Sequence, residues 1–489
     1  MGPVARRLRA ALFAFPGLLA ALGLVDREQG RRAFDLALPV MVTGGLRTVQ
    51  RVIDFLMVGR AVGSDGVAAL ELGFQYYFVP FGLSLALTSG TISVVSRAIG
   101  ADDRETANLA VKVSLWLALL LALPITAATW VGADAMLDLL TDDARTVRLG
   151  AAYLRVVMLS VTARFWSMIA ARALAGAGDT RTPMYVRLVS VPANVGLNAL
   201  LIYGLYGFPR LGVVGAAAGT AAANGLAAAA FLALLLSGRW SVRLRVGGPQ
   251  WDGRVARELV RVGLPLAGTR LSRTFGRFPF LFVLGVLGTD VVAAYAIGRR
   301  VMLLAMMPAW GYATAASTLV GQHVGAGDPD RADEYGWQTL RVALATQLLV
   351  GAGLVAVARP VAAAFGADDP TLTVTFIRAF GLGVAAFSVA RTLRGALRGA
   401  GDTRWPLYGS LVGTYLVRLP IAALALPVGF GVTVLGVRIT PGLGLGVTAA
   451  VAAILAGLYT KAAVNAVRYW SDAWRDVAAR AIPAAGEAD

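Results

Sequence analysis

Long apolar stretches separated by short polar ones repeat along the whole chain. A helix that crosses a hydrocarbon core of roughly 30 Å needs about 20 mostly apolar residues, because every backbone polar group must be satisfied inside the helix. By this criterion the sequence predicts twelve spans. They cover residues 34–58, 67–96, 108–132, 146–174, 183–206, 213–237, 259–288, 291–320, 336–358, 371–398, 406–429 and 443–467.

The composition agrees with this pattern. The chain has 489 residues, of which 57% are hydrophobic and 15% are charged, and its mean hydropathy is +0.68. An average soluble domain carries about 25% charged residues. The sequence therefore predicts an all-α, polytopic protein of the cell (plasma) membrane, with no stretch left over for a soluble domain.

The net charge of +17 comes from 45 Lys and Arg against 28 Asp and Glu. In a soluble protein this excess would favour a nucleic-acid partner, but in a membrane protein cytoplasmic loops collect Lys and Arg. Most basic residues fall in segments that are cytoplasmic if the N-terminus is inside, including Arg187, Arg391, Arg394 and Arg398. We therefore expect both termini in the cytoplasm and no nucleic-acid partner.

The first 33 residues are interpreted as a cytoplasmic or interfacial segment. Arg6, Arg7 and Arg9 precede an apolar run from Ala10 to Val25. A signal peptide has a similar start, but no small-x-small cleavage site precedes Asp26, and the run is short for a span. We favour an uncleaved helix in the cytoplasmic interface, and the signal-peptide interpretation stays open.

An internal duplication is the most specific feature of the sequence. The segment Gly176–Arg181 (Gly-Ala-Gly-Asp-Thr-Arg) recurs 223 residues later as Gly399–Arg404. Leu38-Pro39 likewise matches Leu264-Pro265 at an offset of 226. The motif is interpreted locally as a C-cap glycine, a turn and an Asp N-cap. An even number of six spans per copy gives both halves the same orientation, so the repeats are parallel.

The duplication predicts five segments. They are a cytoplasmic or interfacial segment 1–33, an N-lobe six-helix bundle 34–237, a cytoplasmic basic linker 238–258, a C-lobe six-helix bundle 259–468 and a cytoplasmic tail 469–489.

The sequence offers little material for catalysis. Cysteine is absent and His323 is the one histidine, so thiolate and histidine metal sites are not expected. No nucleophile with a base and no phosphate-binding loop stands out. We expect neither an enzyme nor a cofactor.

The motifs resemble the multidrug and toxic compound extrusion (MATE) family of secondary transporters. The resemblance rests on the duplicated Gly-Ala-Gly-Asp-Thr-Arg-x-Pro motif and on Leu38-Pro39, Val52-Ile53-Asp54-Phe55 and Val58-Gly59 in the first span. It covers residues 34–468. It implies a V-shaped pair of six-helix bundles that exports drug-like molecules by alternating access, coupled to H⁺ or Na⁺.

The resemblance also implies a cation-coupling site in the N-lobe. Carried over to this sequence, its residues are Asp54, Asn194, Asn198 and Thr220. Asn198 stands where the family branch with this site has a second aspartate, and an asparagine can ligate a transported Na⁺ but cannot titrate. The carboxylates that other branches use on the seventh and tenth spans have no counterpart.

Charged residues inside spans are costly and are functional candidates. At an offset of 226, Asp54 corresponds to Phe280, so the carboxylate is confined to the first half. Arg51 can pair with Asp54 at i, i+3, which leaves a structural ion pair as the alternative to coupling. Arg47 and Arg51 correspond to Arg273 and Arg277, and Arg270 lies one turn earlier. The arginines Arg47, Arg51, Arg270, Arg273 and Arg277 are therefore candidates for an anion-favouring substrate cleft.

Three other side chains are candidates for the substrate surface. Gln75 and Tyr76 on the second span and Met306 on the eighth offer soft, adaptable contacts, although packing explains such residues equally well. We expect a monomer with small-molecule substrates and lipid contacts. The alternative function is a flippase for a lipid-linked sugar precursor, whose pyrophosphate would suit arginines.

Overall fold

Helices dominate the computed structural model, which describes residues 14–365, 370–434 and 437–481. In the first half the helices are residues 14–21 (α1), α2 Arg27–Val62, α3 Ser64–Gly100, α4 Arg104–Asp138, α5 Ala144–Met158, α6 Val161–Gly176, α7 Arg181–Tyr203 and α8 Gly212–Leu236, with a 3₁₀ turn at Leu205–Gly207. In the second half they are α9 Gly253–Phe275, α10 Arg277–Leu287, α11 Thr289–Ala305, α12 Met307–Gly325, α13 Pro329–Ala356, α14 Ala358–Ala364, α15 Pro370–Gly399, α16 Arg404–Leu411, a π-helical segment Val412–Arg418, α17 Leu419–Ala423, α18 Gly446–Trp470 and α19 Trp474–Ala481.

Each of the twelve predicted spans coincides with one helix or with a broken helix. Seven of the described helices are long and apolar enough to cross a membrane, or nine if each of two bent pairs is one span. The other predicted spans are α2, α9 with α10, and the pieces α16 to α17. The first two of these carry the arginines and the aspartate singled out above, which lower their hydropathy. The all-α polytopic membrane class is confirmed.

One span ends earlier than predicted. The helix expected over 406–429 stops at Ala423, and Gly429 in the turn that follows adopts a positive φ of +82°. Two short antiparallel strands follow, β1 Val432–Val434 and β2 Val437–Ile439. The hydrophobic pattern did not predict this pair of strands. Its valines are as apolar as the residues of a membrane-spanning helix, but valine has a higher propensity for strands.

The chain separates into two compact units. The first unit contains Pro39–Leu264, and the second unit contains Met1–Leu38 together with Pro265–Asp489. Both boundaries fall inside the repeated Leu-Pro pair. In each copy a threonine four residues later donates to the proline carbonyl, at 2.8 Å from Thr43 and 3.0 Å from Thr269. The duplication therefore extends to individual hydrogen bonds, while the lobe boundaries 34–237 and 259–468 stay predictions.

Both ends of the described chain pack inside the second unit, to which they belong. Leu19 and Val25 are buried, and the ring of Trp474 is buried and stacks on Tyr469 with 5.4 Å between centroids. Residues 1–13 of the predicted interfacial segment and residues 482–489 of the predicted tail lie outside the described residues. The interfacial and signal-peptide interpretations of the N-terminus both stay predictions.

Candidate functional site

The repeated Gly-Ala-Gly-Asp turn is structural in both halves. Gly178 and Gly401 have φ of +92° and +87°, the left-handed region that favours glycine. Asp179 Oδ1 then accepts from the backbone N–H groups of Arg181 and Thr182 at 3.1 and 2.9 Å, so it caps the first turn of α7 from one residue before the N-cap Thr180. In the second copy the carboxylate of Asp402 accepts from Nε of Arg468 at 2.6 Å. The motif is therefore evidence of the duplication, and its role in each half is to stabilise the turn.

Asp54 lies at the centre of a polar network built by α2, α7 and α8. Asn194 and Asn198 are one turn apart on α7, so both point to the same side, and they are 2% and 0% exposed. Gly219 on α8 packs directly against the Asn198 side chain and leaves no room for a Cβ. This close approach of α8 to α7 positions the amides beside the carboxylate.

The side-chain amides of Asn198, Asn194 and Gln50 donate the hydrogen bonds of the network. Nδ2 of Asn198 donates to Asp54 Oδ1 at 2.8 Å and to Asn194 Oδ1 at 3.3 Å. Asn194 Nδ2 in turn donates to Thr220 Oγ1 at 3.4 Å. Gln50, one turn before Asp54, donates to Asn194 Oδ1 at 2.8 Å. The structure thus brings the four residues implied by the resemblance together and adds Gln50.

The network offers oxygen atoms to a small cation. Asn198 Oδ1 is buried and has no hydrogen-bond partner among the described residues. Asn198 Oδ1, the Asp54 carboxylate and Thr220 Oγ1 are carbonyl, carboxylate and hydroxyl oxygens of the kinds that hard cations prefer, and in this structure Asn198 turns Nδ2 to Asp54 and Oδ1 to Gly219. The carboxylate alone can instead take a proton. No group of three or more His, Cys, Asp or Glu residues that could hold a metal occurs in the described part of the chain.

Arg51 does not form the ion pair that its spacing allows. Its guanidinium lies over the ring of Phe74, 4.9 Å from the centroid. Within the described ranges, no salt bridge of 4.0 Å or less joins it to Asp54. The ion pair that stayed open as the alternative to coupling is therefore not formed, because the exposed arginine side chain turns to an aromatic face, while the two side chains remain close enough for their charges to attract. Hydrogen bonding to Asp54 comes from an uncharged amide.

The remaining candidates have different surroundings. Tyr76 donates its hydroxyl to the carbonyl of Met136 and ties α3 to α4. Gln75 is exposed and donates to Glu71 Oε1 at 3.2 Å. Met306 is 8% exposed and packs in the apolar core of the second unit with Phe280. Tyr76 and Met306 therefore serve packing rather than an open surface.

The candidate arginines divide by burial. Arg47 is half-buried and close enough to Arg164 and Arg187 for their charges to interact. Arg270 and Arg273 on α9 are also half-buried, and Arg277 and Arg51 are exposed.

Sequence reasoning missed several polar residues inside the units. Gln50 shares a helix face with Asp54 at i−4, and that spacing could have identified it. Arg187 was assigned to the cytoplasmic charge excess, yet it is 8% exposed, and its guanidinium lies 6.0 Å from the ring of Phe231. Arg391 and Arg394 were assigned in the same way and lie inside α15. Sorting charge by position along the chain cannot show which way a side chain points.

Comparisons with known proteins agree with this architecture. The family model MatE matches residues 39–200 and 265–424. "Probable multidrug resistance protein NorM" of Bradyrhizobium diazoefficiens is 30% identical over 409 residues, which is 81% of this chain and 86% of the relative. The protein of the same name from Thermotoga maritima is 29% identical over 405 residues, 81% of this chain and 85% of the relative.

Solved structures share the fold. A MATE protein in the straight conformation superposes with a TM-score of 0.81 at 21% identity, covering 92% of this chain and 97% of that one. A MOP superfamily transporter from Pyrococcus furiosus gives 0.80 at 22% identity, covering 91% and 95%. The duplicated helices and the family match define a polytopic membrane transporter rather than an enzyme. The chain belongs to the MatE family, the MATE transporters that its motifs resemble.

Proposed function

We propose that this protein is a secondary active efflux transporter that exports drug-like organic molecules in antiport with H⁺ or Na⁺. The names of the NorM relatives support the class of cargo. We further propose that it acts as a monomer in the plasma membrane, with both termini in the cytoplasm. The coupling ion is assigned to the Asp54 network.

The observation that carries the proposal is a carboxylate within a predicted span whose hydrogen-bond donor is a neutral amide. A charged side chain at this depth is costly unless something compensates it. Arg51 attracts Asp54 without forming a contact ion pair, and Asn198 leaves the charge in place because an amide carries none. A proton or a Na⁺ ion would neutralise Asp54, and only the Na⁺ ion would also use Asn198 Oδ1.

Antiport follows if cation and cargo favour different conformations. The cation then lowers the affinity for cargo and cargo lowers the affinity for the cation by the same factor, because linkage is reciprocal. Since Asn198 replaces a second carboxylate, the site holds one titratable group. We therefore expect one elementary charge of cation per cycle at this site.

Transport by purified protein in liposomes tests the proposal. An imposed pH or Na⁺ gradient should drive accumulation of a fluorescent drug-like dye, and Asp54→Asn should abolish this drive while the protein remains folded. Glu71→Gln is the matched control, because Glu71 is an exposed carboxylate on the neighbouring helix α3. Gradient-driven flux that survives Asp54→Asn would contradict the coupling role. Movement of a lipid-linked sugar without any gradient dependence would favour a flippase instead.

A further inference from the structure

The second unit gathers cations from three helices into one region. The basic cluster consists of Arg270 and Arg273 on α9, Arg391 and Arg394 on α15, and Lys461 on α18. Burial of these side chains is intermediate. Arg391 is close enough to Arg394, Arg273 and Arg270 for their charges to interact, and Lys461 interacts with Arg273 and Arg394.

A hydrogen bond beside the cluster joins α15 to α18. Asn465 is one turn after Lys461, and its Nδ2 donates to the carbonyl of Ala390 at 2.8 Å. Ala390 directly precedes Arg391. Gly413 of the π-helical segment packs against the stem of Lys461 and leaves no room for a Cβ. The lysine is therefore held where α18 meets α15 and the π-helical segment.

The helix α9 joins the same assembly through α16, which contains Ser410, and through the π-helical segment, which contains Tyr415. Tyr415 donates its hydroxyl to the carbonyl of Ser272 at 3.1 Å. Ser410 donates to the carbonyl of Thr269 at 3.4 Å. Ser272 and Thr269 are the chain neighbours of Arg273 and Arg270. Hydrogen bonds and packing between these helices therefore hold the backbone beside the basic cluster in place.

No carboxylate of the described second unit lies within these parts of α9, α15 and α18. Between residues 265 and 481, the described acids occupy loops or the first two turns of helices, at Asp290, Asp328, Asp330, Asp333, Glu334, Asp402, Asp472 and Asp476. Within the described ranges, Arg394 and Lys461 donate no side-chain hydrogen bond and form no salt bridge. Burying like charges without anions is costly, so an external anion would relieve the repulsion.

An aromatic surface borders the cluster. The guanidinium of Arg391 lies 5.1 Å from the ring centroid of Trp310 and 5.9 Å from that of Phe387. Trp310 is 45% exposed, which leaves part of its surface free for another apolar group. Guanidinium groups bind carboxylate, sulfonate and phosphate with paired hydrogen bonds, and aromatic faces accept flat apolar groups.

We propose that the basic cluster is an anion-binding site for organic anions that carry a carboxylate, sulfonate or phosphate group beside an apolar body. This assignment rests on the proposed efflux function and names a class of cargo for it. An anionic lipid headgroup presents the same chemistry as a free cargo anion, and the experiment below separates the two sources.

Binding of two matched xanthene dyes tests the site. The full-length protein in phosphatidylcholine nanodiscs is titrated with anionic carboxyfluorescein and with cationic rhodamine 6G, and binding is followed by fluorescence anisotropy. Arg394→Gln and Lys461→Gln should each weaken carboxyfluorescein binding by at least about tenfold, since a hydrogen bond between charged groups contributes about 1.5–3 kcal/mol. Binding of rhodamine 6G should not weaken.

The control variant is Arg378→Gln, which removes an exposed arginine from the same helix α15. It should bind carboxyfluorescein as the unmodified protein does. Arg394→Lys should restore part of the affinity, and thermal unfolding midpoints show that the variants are folded. Unchanged carboxyfluorescein binding in folded Arg394→Gln and Lys461→Gln would overturn the proposal, as would an equal loss in Arg378→Gln.

Phosphatidylglycerol added to the nanodiscs separates the two sources of anion. If lipid headgroups occupy the site, carboxyfluorescein affinity falls with the phosphatidylglycerol fraction in the unmodified protein but not in Arg394→Gln. If the site is selective for free anions, benzoate competes and the lipid does not. Asp54→Asn should leave this binding intact, so a failure of the coupling proposal is distinguishable from a failure of the anion site.

Discussion

Two equivalent helix positions, Asp54 on α2 and Phe280 on α10, have opposite chemistry. Asp54 accepts a hydrogen bond from an amide inside a polar network. Phe280 is fully buried, lies 5.5 Å from the ring of Tyr295, and carries the guanidinium of Arg418 3.8 Å above its ring. The duplication therefore kept the helices and their turns while one half became an oxygen-rich site and the other an aromatic core.

The difference shows that cation binding depends on the side chains around the carboxylate as much as on the carboxylate itself. Asn194, Asn198 and Thr220 supply donors and oxygens around Asp54, and Gly219 lets them approach. Around Phe280 the neighbouring side chains are aromatic and cationic. We therefore expect one cation-coupling site per chain, and an anion-favouring region in the other half.

The largest expected effect comes from moving the carboxylate to the other half. The double variant Asp54→Asn with Phe280→Asp should remain as inactive as Asp54→Asn alone, with no gradient-driven transport above background. An aspartate at 280 would meet Arg418 and form an ion pair, which leaves no charge for a transported cation. Liposome flux measures the effect, and recovery of transport would show that the two positions are interchangeable.

The two copies of the Gly-Ala-Gly-Asp turn differ in how much their aspartates are expected to contribute to stability. The ion pair of Asp402 and Arg468 has side chains only 4% and 13% exposed. Arg468→Gln should lower the free energy of unfolding by about 3 kcal/mol, because it leaves a buried carboxylate without its partner.

Asp179→Asn is the matched change in the first copy of the turn. It should cost less than about 1 kcal/mol, since the side-chain oxygen of asparagine can accept from the same backbone N–H groups of Arg181 and Thr182. Thermal unfolding in detergent compares the two variants. Equal costs would mean that the two copies of the turn have not diverged in stability.

A smaller effect is expected at Gln50, the network residue that sequence reasoning missed. Gln50→Leu keeps the side-chain size and removes one donor to Asn194, which still accepts from Asn198. We expect about a 2- to 10-fold loss of transport, the equivalent of one net hydrogen bond of about 0.5–1.5 kcal/mol. Gln250→Leu, at an exposed site between α8 and α9, should leave the rate unchanged. A loss as large as that of Asp54→Asn would make Gln50 a direct ligand rather than a support.

The sequence predicts the helices because they depend on local pattern, and it predicts the quartet around Asp54 through the resemblance to the MATE family. Apolar runs of about 20 residues mark spans, and the family motif places Asp54, Asn194, Asn198 and Thr220. The surroundings of single side chains are tertiary, so Met306 was expected at a drug surface although it packs in a core. For the same reason the sequence assigned Arg394 to the cytoplasmic excess of positive charge, although it lies inside α15. The strands after Ala423 were not predicted, because valines fit both the apolar pattern of a spanning helix and that of a strand.

Cation release upon cargo binding tests the central role of Asp54 most directly. Purified protein in weakly buffered detergent solution is mixed with a transported dye, and released H⁺ is read with a pH indicator and released Na⁺ with a radioactive sodium binding assay. The unmodified protein should release about one cation per bound dye, and folded Asp54→Asn should release none while still binding dye. Equal release by Asp54→Asn would place the coupling site elsewhere in the molecule.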